Sequence, residues 1–150
     1  MHQFPPIILS ACILIVIAAM GCESRTGNTS AEIEGCYFEV IQQDTHTASL
    51  EQHGNDITGK LNIIKEGKEV MTGTVTGKIQ GHILRLAYRA TSEGSSSIME
   101  LCFKYKDGKL LRGTGDMKLK GDSVYFADPA AIKFDGSGLQ KTPCQNLPGK

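Results

Sequence analysis

From Gly35 onward, apolar and polar residues alternate with a period of two, and turn-forming residues interrupt the alternation about every eight to twelve positions. A period of two places successive side chains on opposite faces of an extended chain. The stretch therefore predicts short strands: Cys36–Gln42, Ala48–Gln52, Ile57–Ile64, Val70–Ile79, His82–Thr91, Ser97–Lys106, Lys109–Lys120 and Val124–Ala127, with a further one at Ile132–Phe134. The segments between them are short and rich in Gly, Asn, Asp and Ser: His53–Asp56, Lys65–Glu69, Gln80-Gly81, Ser92–Ser96, Asp107-Gly108 and Gly121-Asp122. None is long enough for the crossover helix that parallel strands need, so neighbouring strands are predicted antiparallel.

The two faces separate in several of these strands. Leu84, Leu86 and Tyr88 oppose Arg85 and Arg89; Met99, Leu101, Phe103 and Tyr105 oppose Glu100, Lys104 and Lys106; Leu111, Met117 and Leu119 oppose Arg112, Asp116, Lys118 and Lys120. One buried and one wetted face is the signature of an antiparallel meander. In this register Gly59, Gly73, Gly77, Gly113 and Gly115 fall on the inward side. Inward glycines mark bends and bulges where a sheet coils on itself, with room for a ligand as the alternative. The fold expected for residues 35–144 is all-β, an antiparallel up-and-down meander of about eight strands forming a small barrel or a strongly coiled sheet.

The N-terminal pattern is different. Ile7 to Met20 is an apolar run with Ser10 as its one clearly polar member. It is shorter than the roughly 20 residues that span a bilayer and suits the hydrophobic region of a signal peptide. Glu23 and Arg25 follow at once, which argues against a membrane helix. The run ends in Ala19-Met20-Gly21-Cys22, which resembles the lipobox of bacterial lipoproteins. That resemblance implies a signal peptide over residues 1–21 and lipidation of Cys22 as the first residue of the mature chain. Ala19 stands where the pattern favours Leu, and the leader MHQFPP has no Lys or Arg; an ordinary secretory signal that leaves Cys22 as a thiol is the alternative. Residues 22–34 are polar and aperiodic and read as a tether, and residues 145–150 as a tail.

An acylated Cys22 determines where the domain works. Each buried methylene contributes about 0.8 kcal/mol, and the two or three chains of a lipoprotein anchor it durably. Glu23 is not the Asp that enterobacterial sorting reads as inner-membrane retention. The expected location is therefore the outer membrane of a Gram-negative bacterium, on its periplasmic or cell-surface face. Charge adds an exclusion. Lys plus Arg and Asp plus Glu number sixteen each, and none lies in residues 1–21. A balanced chain argues against a nucleic-acid partner.

The compartment changes the reading of the cysteines. Cys12 leaves with the signal and Cys22 takes the lipid, leaving Cys36, Cys102 and Cys144 where disulfides form. The first and last segments of a closed meander are neighbours, so Cys36–Cys144 is the expected bond, with Cys102–Cys144 as its rival. The expected bond would close a loop of about 109 residues, worth about 4–5 kcal/mol in the chain-entropy description. Cys102 shares a face with Glu100 and Lys104 and is expected outward and unpaired.

The chain carries few motifs of recognisable chemistry. His46 and His53, with Asp44 and Asp56 nearby, could ligate a metal, but no CxxC, HExxH or HxH spacing supports it and the positions read as turns. Arg112-Gly113-Thr114-Gly115-Asp116 lacks the Lys-Ser/Thr of a phosphate loop. Ser95–Ser97 has no GxSxG or SxxK frame. Asp135-Gly136-Ser137-Gly138 lacks a calcium loop's acidic ladder. No nucleophile, base and orienting group can be named together, so neither an enzyme nor a cofactor is expected.

Gly35-Cys36-Tyr37, the Thr-Gly steps between Asn55 and Gly81, Tyr88 followed by Ser92-Glu93-Gly94, the Phe103 strand and Cys144 resemble a family of small β-rich lipoproteins of Bacteroidota, over about residues 35–144. The resemblance implies surface or periplasmic residence and a β-rich domain, and no activity. The expected function is a lipid-anchored, non-enzymatic binding or interaction module, its partner a small apolar ligand or an envelope protein. The alternatives are an inhibitor of a cell-wall hydrolase, for which Ser92–Ser96 is the candidate loop, and a purely structural envelope protein.

Overall fold

The computed structural model describes residues 30–65, 70–92 and 95–148. The expected signal peptide, Cys22, the expected tether through residue 29, most of the Lys65–Glu69 turn and Glu93-Gly94 lie outside the described residues.

Ten strands follow one another: β1 Gly35–Ile41, β2 Asp44–His53, β3 Asp56–Ile64, β4 Val70–Gln80, β5 Ile83–Ser92, β6 Ser95–Lys106, β7 Lys109–Arg112, β8 Met117–Lys120, β9 Ser123–Phe126 and β10 Gly138–Thr142. Strands β1 through β7 pair consecutively and antiparallel, and β10 inserts between β7 and β1. Eight strands thus close a barrel, as the alternation predicts. The closure is written in the turns. Asp107 and Gly108 both have positive φ, the geometry of a tight two-residue hairpin whose twist matches that of the strands.

The barrel axis is filled by side chains. Tyr37, Ile57, Val75, Ile79, Leu84, Phe103, Leu110 and Leu139 are essentially inaccessible and form one cluster with Leu50, Leu61, Leu86 and Tyr88. Gly59, Gly73 and Gly77 are in register with these inward residues. Gly73 has a specific reason to be glycine, because a methyl group there would overlap the Tyr88 ring.

One end of the barrel is plugged by the chain itself. Ser30–Glu34, which read as tether, pack into it, and Ile33 is fully buried. The Gln52 side chain accepts from Ile33 N at 2.8 Å and donates to the Ala31 carbonyl at 3.2 Å. Tyr37 Oη donates to the Ile33 carbonyl at 2.7 Å, and Ala31 N to the Gly81 carbonyl at 2.8 Å. The polar sequence hides this plug because a single apolar residue carries it.

The C-terminal third departs from the predicted pattern. Lys109–Lys120 is not one strand: the chain leaves the barrel after Arg112 and forms the β8–β9 hairpin, where β9 runs parallel to β6 at Ile98 and Met99. Ile132–Phe134 is not a strand; only Lys133 bridges, to Thr114. The strand that closes the barrel is β10, which the reading of the sequence missed because Gly138–Thr142 holds one core residue, Leu139. The inward residues of β7 are Leu110 and Arg112, not Leu111, since Leu110 lies opposite the core residue Leu139. Gly113 and Gly115 consequently face Ile132, Phe134 and Phe126 of this excursion rather than the axis. Residues 113–137 cover the outer face of β6, where Phe126 N donates to Glu100 Oε2 at 2.9 Å. Cys102 therefore points outward from the barrel, as predicted, yet is buried.

Candidate functional site

Three charged or titratable side chains enter the barrel at the end opposite the plug. Glu39 follows Tyr37 by two residues on β1 and so shares its inward face. His46 on β2 is its direct cross-strand partner. Arg112 follows inward Leu110 by two on β7. Arg112 Nη2 donates to Glu39 Oε1 at 2.7 Å and contacts His46 Nδ1 at 2.9 Å; Glu39 Oε1 lies 3.6 Å from the same imidazole nitrogen. A guanidinium only donates, so His46 Nδ1 must accept, which assigns the ring proton to Nε2. The Glu39 side chain is 4 % exposed, His46 13 % and Arg112 28 %. The carboxylate therefore sits deepest and the guanidinium reaches toward solvent. Arg112 also lies over the Phe103 ring, 5.8 Å from its centroid, a favourable cation–aromatic geometry.

The environment shifts the imidazole. Burial depresses the His46 pKa below its usual value and Arg112 adds to the depression, against the opposing pull of Glu39 and Asp44. Tyr88 lies on β5, four strands from β1 in either direction around the barrel. Burial raises the pKa of its hydroxyl. Tyr88 Oη, Glu39 Oε2 and Arg112 Nε are buried without hydrogen-bond partners. Nearer the rim, Met71 and Met99 are part-exposed.

The cluster sits at a seam. β10 pairs with β1 only from Cys36 to Phe38, so Glu39–Ile41 have no ladder on that side. There the Arg112–Glu39 ion pair links β7 to β1 directly. Outside the same seam is an open groove of about 490 Å³, lined by Phe38, Val40, Lys109, Leu111, Ser137 and Gln140. Chemically, the cluster is only partly satisfied, since Glu39 Oε2 and Arg112 Nε are left without partners. The one basic nitrogen of the imidazole is already engaged by Arg112, so it is not free to take a proton from a neighbouring group.

Among the residues expected to matter, Cys36 and Cys144 lie at disulfide distance, with Cα atoms 5.1 Å apart. Cys22 lies outside the described residues. Asp44 and His46 stand at the end opposite the plug. His53 and Asp56 close the β2–β3 hairpin at the plugged end, where Asp56 pairs with Lys78. The four do not converge, and no group of three His, Cys, Asp or Glu among the described residues could hold a metal ion. The Glu39–His46–Arg112 cluster was not anticipated. Its signal was the phase of Glu39, a carboxylate on the buried face of an otherwise apolar strand. No family model, curated protein or solved structure matches this chain.

Proposed function

We propose that this protein is a lipid-anchored binding module of the bacterial outer membrane, not an enzyme, which turns the open end of its barrel away from the bilayer toward an envelope partner. The observation that carries the reading is the plug. Because Ser30–Glu34 enter at one end, an anchor on Cys22 holds that end toward the membrane. Ser30 lies eight positions after Cys22, a reach of at most roughly 26–29 Å. The end with Glu39, His46, Arg112 and the part-exposed Met71 and Met99 is then the one a partner meets. Because side chains fill the barrel axis, a partner met at the surface fits better than a small apolar molecule held inside.

The test is fractionation joined to crosslinking. The wild-type chain is expected in the membrane fraction with an acylated N-terminus, and Cys22→Ala in the soluble fraction without it. A photoreactive residue at position 99 is expected to crosslink a partner in intact cells, and one at position 54, at the plugged end, is not. A wild-type mass without acyl chains, or equal crosslinking from both ends, refutes the reading.

A further inference from the structure

We infer that Glu39, His46 and Arg112 form a proton-operated clasp that holds the open end of the barrel together across the β1–β7 seam. The seam lacks main-chain pairing beyond Phe38, and the Arg112–Glu39 ion pair spans it instead. Arg112 holds this position through a second contact, to the lone pair of His46 Nδ1 at 2.9 Å. Protonation places a hydrogen on that nitrogen. The contact then sets donor against donor and cation against cation, at a distance where neither is tolerated. Protonated His46 already has an alternative, because Glu39 Oε1 is 3.6 Å away and Glu39 Oε2 is unpartnered. Imidazolium thus takes the carboxylate, and Arg112, the most exposed of the three, leaves for solvent. Its departure unlinks β7 from β1.

Among the described residues, the groups facing His46 are few. Glu39 comes from β1, Asp44 from its own strand and Arg112 from β7, while its cross-strand neighbour on β3 is the apolar Ile63. Burial and Arg112 hold the neutral form, in keeping with the depressed pKa. Folding therefore excludes a proton that the unfolded chain accepts near pH 6.5. Above that pH the clasp is intact and stability is unaffected. As pH falls from there through the lower folded value, stability is lost, and below the folded value the loss is complete.

The experiment measures amide hydrogen exchange and histidine-ring NMR signals on the processed protein in detergent micelles, at about pH 7.5 and pH 5, for the wild type and His46→Asn. Asparagine keeps an acceptor near Nδ1 but cannot protonate. In the wild type, acid is expected to lower protection at Glu39–Ile41 and Leu111–Arg112 by about tenfold for each unit by which folding depresses the His46 pKa, and to leave β3 and β4 unchanged. His46→Asn is expected to keep its protection. Equal protection at both pH values in the wild type overturns the inference, as does equal loss in the variant. If the variant does not fold, the wild type alone decides. The Arg112 side-chain signals must shift with the same midpoint as the His46 ring, and independent midpoints overturn the clasp.

Discussion

Replacing Cys144 with Ala removes the link between the first barrel strand and the chain's last turn while disturbing little else. Cys144 is exposed and Cys36 is buried against β2, with Sγ 3.7 Å from Ser49 Oγ. Truncating the exposed partner therefore isolates the cross-link from the packing. The two cysteines are 108 residues apart. Closing a loop of that length in the unfolded chain costs entropy worth about 4.8 kcal/mol at 25 °C. A domain of this size has about 5–15 kcal/mol of stability in total, so the variant should lose a third of it or more. With a urea slope of about 2 kcal/mol per molar, the unfolding midpoint should fall by roughly 2 M. Reducing agent should lower the wild-type midpoint by the same amount and leave the variant unchanged. A shift below about 0.5 M, or a reductant effect that survives in the variant, refutes the Cys36–Cys144 bond as the link. A thiol count in urea without reductant sharpens the result: Cys102 alone should react, and labelling of Cys36 would reveal the rival pairing.

Two further outcomes can be checked with little material. Cys102 is buried and its pKa is raised by that burial, so at pH 8 it should resist maleimide until residues 113–137 lift away. An opening free energy of about 3 kcal/mol would slow labelling by roughly two powers of ten relative to urea-unfolded protein, and labelling at the unfolded rate would contradict the burial. Gly77→Ala should destabilise by about 3 kcal/mol, because the added methyl would overlap the Arg85 carbonyl oxygen in the adjacent strand. Gly121→Ala, in a turn with open space at φ +58°, should cost only about 1–2 kcal/mol; equal midpoints for the two variants would refute this account.

The first two-thirds of the barrel was legible because β3 through β6 alternate strictly and end in turn chemistry that any reader of the chain can identify. Legibility failed where one residue carries a strand. β10 presents only Leu139 to the core, and the plug only Ile33, so neither produces a period. The doublet Leu110-Leu111 leaves the phase of β7 ambiguous. With Leu111 inward, Arg112 would face outward, away from Glu39. The cluster also joins two residues of the adjacent strands β1 and β2 to one of the distant β7, and no spacing rule connects position 39 with position 112. The Cys36–Cys144 pairing was reachable because it needed only the general rule that the ends of a closed meander meet.

That rule has a consequence for the order of folding. Six of the eight barrel junctions join strands consecutive in the chain, hairpins that can form within microseconds once their residues are available. The β1–β10 junction instead joins residues about a hundred positions apart, and such contacts form late because the intervening loop must close first. A chain that emerges N-terminus first must therefore hold β1 with one edge unpaired until residues 138–142 arrive. Through that interval an unpaired strand edge is exposed to other chains in the same state. The vulnerable moment for this protein is the wait before its final segment is delivered, and any factor that assists its biogenesis would be expected to shield β1.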